Sequence, residues 1–177
     1  MGTVKRLLLK RRDDISKHYT NLQLFSLTFL RILIGWHFLY EGLIKLYSSP
    51  AWSAQSYLLG SVGPFAPVFK SMANNPKLLI IINQINIWGL ILIGISLFTG
   101  FLSKFFKIFA IAILLLYYFA YPPFHGILIN APVEGSYWIV NKNLIEIASI
   151  IVLYLFPTSH ITGIDRFFQP KTRHHEN

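Results

Sequence analysis

Residues 24–46 form a 23-residue run in which apolar side chains are interrupted only a few times, and this run constrains the chain more than any other feature. A helix of that length reaches ~35 Å, against ~30 Å of bilayer hydrocarbon. Three further apolar stretches follow, at 78–98, 105–120 and 139–156. The last is continuously apolar only from residue 144, so it reaches a crossing length by taking in Trp138, Ile139 and Val140. In hydrocarbon each backbone N–H and C=O must find a partner inside the protein, so stretches like these form helices rather than isolated strands.

Composition leads to the same place. Apolar residues make up 54% of the chain and charged residues 13%, against roughly 25% charged in a soluble domain. An ordinary water-soluble globule and a disordered chain are both excluded. With no cysteine, thiol nucleophiles, Fe–S clusters and Cys-ligated zinc are excluded too. The net charge of +9 would suit a nucleic-acid surface in a soluble protein, but in a membrane protein it reports orientation. No nucleic-acid role is expected.

Eleven of the Lys and Arg residues lie in the N-terminal twenty residues, the short link after the second stretch, and the tail. Four lie on the other side: Lys45, Lys70, Lys77 and Lys142. This bias places both termini in the cytoplasm, as four crossings require. A cleaved signal peptide is the competing reading of the first stretch. It fails because the stretch is too long and carries Arg31 and Glu41. Residues 47–77 hold Pro50, Pro64, Pro67 and Pro76 with Gly60 and Gly63, and their apolar positions suit short interfacial helices. The expected fold is therefore all-α: a single membrane domain, 1–177, built as a four-helix transmembrane bundle. An amphipathic, Pro/Gly-broken outer loop joins spans 1 and 2, and residues 1–20 and 160–177 are cytoplasmic tails.

Ionisable residues inside a span cost about 2.5–3.5 kcal/mol each at the helix centre. The first span carries four: Arg31, His37, Glu41 and Lys45. The last three are spaced i, i+4, i+8 and share one helix face, and Arg31 falls within about 40° of Lys45 on the helical wheel. Gly35 and Gly42 flank this stripe and would admit a close neighbour. Counting from the outer ends, Glu41 lies roughly 7 Å deep and His37 roughly 13 Å deep. Asn83, Gln84 and Asn86 of the second span are roughly 7–12 Å deep, and Asn143 and Glu146 of the fourth lie within roughly 6 Å of the surface. Tyr117 and Tyr121 end the third span at the same level. Polar residues of separate spans thus meet in the outer half of the bilayer.

Two readings of that layer stand side by side. As a pocket it suits a polar-headed, lipophilic ligand such as a quinone. His37 and Glu41 would handle protons as the catalytic pair. Arg31, Lys45, Asn83, Asn86, Tyr117, Tyr121, Asn143 and Glu146 would bind. As a structural network the same groups satisfy one another and fix helix register. Tyr47, Trp52, Tyr137 and Trp138 read as an interfacial belt. His174 and His175 read as a solvated tail, and no metal site is expected.

The run RILIGWHFLYEGLIKL at 31–46 resembles the first span of the DoxX family, nearest its branch related to DoxD, the small subunit of thiosulfate:quinone oxidoreductase. The likeness continues through PAWSA at 50–54, NIWGL at 86–90, YYFAYPP at 117–123, NKNLIE at 141–146 and GID at 163–165. It implies a four-helix protein of the bacterial cytoplasmic (inner) membrane acting beside a periplasmic or membrane oxidoreductase partner. It carries over no catalytic residue. The expected function is a membrane subunit of a quinone-linked oxidoreductase system. Such a subunit holds no redox cofactor of its own and takes quinone as substrate. The alternative is a non-enzymatic scaffold or chaperone subunit of a membrane complex. A homo-dimer or hetero-complex is expected from the small size of the bundle.

Overall fold

The computed structural model describes residues 19–123 and 138–168. Helix α1 (Asn21–Tyr47) starts at Thr20, where a reciprocal cap forms. Thr20 Oγ1 accepts from Gln23 N–H at 3.2 Å and Gln23 Oε1 accepts from Thr20 N–H at 2.9 Å. Two short helices follow, α2 (Gln55–Leu59) and α3 (Ala66–Ala73), the second with a proline in its first turn. Helix α4 (Pro76–Thr99) is capped by the Asn75 side chain and stopped by Gly100 at φ 74°. Helix α5 (Ser103–Ala120) follows at once. After it come α6 (Lys142–Leu155), a single turn α7 (Ser159–Thr162) and a 3₁₀ turn, Ile164–Phe168. No strand occurs among the described residues.

Helices α1, α4 and α5 are each long and apolar enough to cross a bilayer. They are the expected first three spans, extended by one to three residues at most ends. The fourth differs. Helix α6 has 14 residues, or ~21 Å, and Trp138, Ile139 and Val140 lie outside it. Trp138 is left-handed, at φ 60°. The Tyr118 hydroxyl donates to the Ile139 carbonyl at 2.9 Å, and Asn141 caps the helix by accepting from Leu144 N–H at 3.0 Å. That left-handed residue and those two hydrogen bonds start the helix at Lys142 rather than 139.

The closest packing joins α1 to α4. A Cβ on Gly35 would lie 2.5 Å from the Phe98 backbone nitrogen, one on Gly42 2.9 Å from that of Ile91, and one on Gly94 would collide with Leu39. Glycine at these three positions is what lets the two backbones touch. The core then fills with Ile34, Phe38, Leu90, Ile93, Leu97, Leu114, Ile150 and Leu153. Helices α2 and α3 build a second cluster, Ala54, Leu58, Phe69 and Ala73, against Ala120 at the end of α5. Outward-facing Phe25, Leu33, Trp36, Ile85, Trp88 and Leu116 are about half exposed, an apolar surface that calls for lipid.

Candidate functional site

The α1 stripe meets α6 at His37. His37 Nδ1 and Glu146 Oε1 are 2.8 Å apart. A carboxylate can only accept, so Nδ1 carries the hydrogen and Nε2 is left for another partner. The two side chains differ in access: Glu146 is 12% exposed and His37 47%. Glu146 is thus the holding group and His37 the accessible one. One turn along α1, Glu41 is as open as His37 and acts on it electrostatically.

A second cluster begins at Lys45. Its ammonium donates to Asn86 Oδ1 at 2.9 Å, and Asn86 Nδ2 donates to the Tyr117 hydroxyl at 2.6 Å. This chain ties α1 to α4 and α5 and fixes which way the Asn86 amide points. Lys45 Nζ also lies 3.8 Å from Glu41 Oε2 and 4.7 Å from the centre of the Trp52 ring. A cation held by an amide, a carboxylate and an aromatic face is anchored rather than trailing into the interface.

Asn83 has a different task. Its Oδ1 accepts from the Ala54 N–H at 2.9 Å, pinning the start of α2 onto α4. The Tyr121 hydroxyl donates to the Tyr57 carbonyl at 2.8 Å, and their ring centres are 4.6 Å apart. The Tyr57 hydroxyl turns inward to the Tyr117 carbonyl at 3.4 Å. Burial, reinforced by the neighbouring phenols of Tyr117 and Tyr121, pushes the Tyr57 hydroxyl above its ordinary range; burial does the same to Tyr121. Both therefore stay neutral donors at physiological pH. Asn143 is half-buried in the first turn of α6 and makes no hydrogen bond to these groups. The expected site thus separates into a His37–Glu146–Glu41 group, a Lys45–Asn86–Tyr117 group beside it, and anchors at Asn83 and Tyr121.

Arg31 belongs to none of these. It lies 14 residues from Lys45, ~21 Å along the helix, and its guanidinium packs against Gly100 in the α4–α5 link. It is 1% exposed, as is Lys107, which donates from Nζ to the Leu153 carbonyl at 2.8 Å. Arg31 and Lys107 therefore sit on the C-terminal ends of α4 and α6, where helix carbonyls lack partners and favour cations. The wheel angle that grouped Arg31 with Lys45 ignored height. Trp52, Tyr57 and Lys107 are site or core residues that sequence reasoning placed elsewhere.

Among the described residues no cluster of three or more His, Asp or Glu side chains is arranged to hold a metal. Tyr137, His174 and His175 fall outside the described residues. No family model, no curated protein and no solved structure matches the chain.

Proposed function

We propose that this chain is the membrane subunit of a quinone-linked oxidoreductase system, with the quinone head group seated at His37. The observation that carries the reading is the His37–Glu146 pair: an imidazole well inside an apolar helix, fixed through one nitrogen while about half of its side chain stays exposed. Ionisable groups at such depth are expensive and mark proton or ligand sites by default. The DoxX-like run at 31–46 supports the same reading, as does the four-span arrangement we assign, with α6 as a short fourth span, both termini cytoplasmic and the site in the outer leaflet of a bacterial inner membrane.

Reducing a quinone to a quinol takes two electrons and two protons. We assign the supply of electrons to a partner oxidoreductase subunit. His37 delivers a proton from Nε2 to a quinone oxygen, and Glu146 holds the tautomer and stabilises the imidazolium. Glu41, open and one turn away, supplies the second proton and reloads the site. Lys45, held by Asn86 and Tyr117, keeps Glu41 oriented. In reverse the same groups accept protons from a quinol.

The test is quinone binding to the purified full chain. Saturable binding is expected, weakened about tenfold or more by His37→Ala, equivalent to ~1.4 kcal/mol, and weakened also by Glu41→Gln. Absence of binding by any quinone would overturn the proposal. Capture of one stoichiometric partner, indifferent to both substitutions, would then assign the scaffold role.

A further inference from the structure

At the far end of the bundle from His37, a groove of about 400 Å³ lies between the first turns of α5 and the end of α6. Leu102, Phe105 and Ile108 make it apolar, and Lys104, Tyr154 and Asp165 add polar atoms. The Lys104 ammonium lies 5.5 Å from the centre of the Tyr154 ring, which holds it over the groove. Asp165 is committed inward. Its Oδ1 accepts from the Leu102 N–H at 2.8 Å and its charge acts on buried Arg31 and Lys107. Leu102 is left-handed, at φ 48°, so that carboxylate also holds a strained corner of the link.

The local charge balance is lopsided. Among the described residues three cations, Arg31, Lys104 and Lys107, act together here against the carboxylate of Asp165. Arg31 and Lys107 are sealed from solvent, so only Lys104 can meet a counter-ion from outside. Among the described residues no carboxylate lies within salt-bridge reach of Lys104. The groove sits at the first turn of a membrane-length helix, the level of lipid head groups. Exposed Phe105 and Ile108, one turn apart, continue from it down the α5 surface.

We propose that this groove is a binding site for an anionic phospholipid. The head-group phosphate pairs with Lys104 and accepts from the Tyr154 hydroxyl, and one acyl chain lies over Phe105 and Ile108. Basic pockets between membrane helices take anionic head groups on these terms, and a phosphate oxygen makes a stronger, charge-assisted bond with an ammonium than water does. A neutral head group would leave the excess positive charge uncompensated.

The test is native mass spectrometry of the full chain released from mixed micelles holding equal phosphatidylglycerol and phosphatidylcholine. Retention of phosphatidylglycerol over phosphatidylcholine by about tenfold is expected. Lys104→Gln should remove that preference. Ile108→Trp, which fills the groove and leaves every charge in place, should weaken retention of the same lipid. Lys70→Gln, on α3, should leave the preference unchanged, and melting temperatures of all three variants in neutral detergent report that each is folded. Equal retention of both lipids overturns the proposal. So does an equal loss from Lys70→Gln and Lys104→Gln, which would mean unspecific attraction to charge. Glycerol 3-phosphate competing as well as the intact lipid would overturn it too, because the chain contact would then be idle.

Discussion

Gly94 faces the backbone of Leu39 so closely that a Cβ there would collide with main-chain atoms, not with a side chain that could swing away. Gly35 makes the same demand on Phe98. In a bilayer there is no water to drive helices together, so close van der Waals contact carries much of the attraction between α1 and α4. Gly94→Val should therefore force the two helices apart and lower stability by at least ~1–3 kcal/mol, the range for overpacking. A drop of several degrees in the melting temperature of the detergent-solubilised chain is the readout. Gly89→Ala is the matched control, because a Cβ there would meet only the tip of Ile113 at 3.4 Å. Arg31 and Lys107 show the other side of residue-scale accounting. Lys107 is a buried cation held by the Leu153 carbonyl near the end of α6, whereas Arg31 is buried with its Nε and one terminal nitrogen lacking a hydrogen bond and feels the charge of Asp165 instead.

At the scale of elements, legibility followed periodicity. Three long helices were readable because a bilayer fixes both their length and their hydrophobicity. The stripe of His37, Glu41 and Lys45 was readable because i, i+4 spacing fixes a face whatever the fold. Depth counting then anticipated that Asn86, Tyr117 and Glu146 would come near that stripe, and two of its members bond to them or through them. What was not readable depends on contacts between elements. Trp52 reaches Lys45 only because Asn83 holds the start of α2 in place. Arg31 is parted from the stripe by height, and the guanidinium packs against Gly100 in the link. The start of α6 was misread for a similar reason, since hydrophobicity favours 139 while Asn141 dictates 142. Asn141 is 6% exposed and its side chain caps Leu144 N–H. Asn141→Ala should destabilise the chain by about 0.5–2 kcal/mol, whereas Asn141→Asp, which keeps the acceptor, should recover most of it. Thermal unfolding of the three proteins side by side checks this.

For the molecule as a whole, the number of crossings decides whether the helix that carries Glu146 passes through the bilayer or lies within one leaflet. Helix α6 at ~21 Å falls short of ~30 Å of hydrocarbon. Extended Asn141 adds a little reach before the helix, and a short span can be met by local thinning of the bilayer. The distribution of Lys and Arg favours four crossings, because three would put the basic tail opposite the basic N-terminus. The absence of native cysteine makes the question directly measurable. Single cysteines at Thr3, Asn74 and Thr172 give one reporter before α1, one between α3 and α4, and one after the last helix. In intact bacterial cells with a permeable outer membrane, a membrane-impermeant maleimide should label Asn74→Cys. Thr3→Cys and Thr172→Cys should label only after the inner membrane is opened. Labelling of Thr172→Cys from outside, with Thr3→Cys protected, would mean that α6 lies within one leaflet and the chain crosses three times. The level of Glu146 would then be set by its contact with His37 on α1 rather than by a crossing of its own helix.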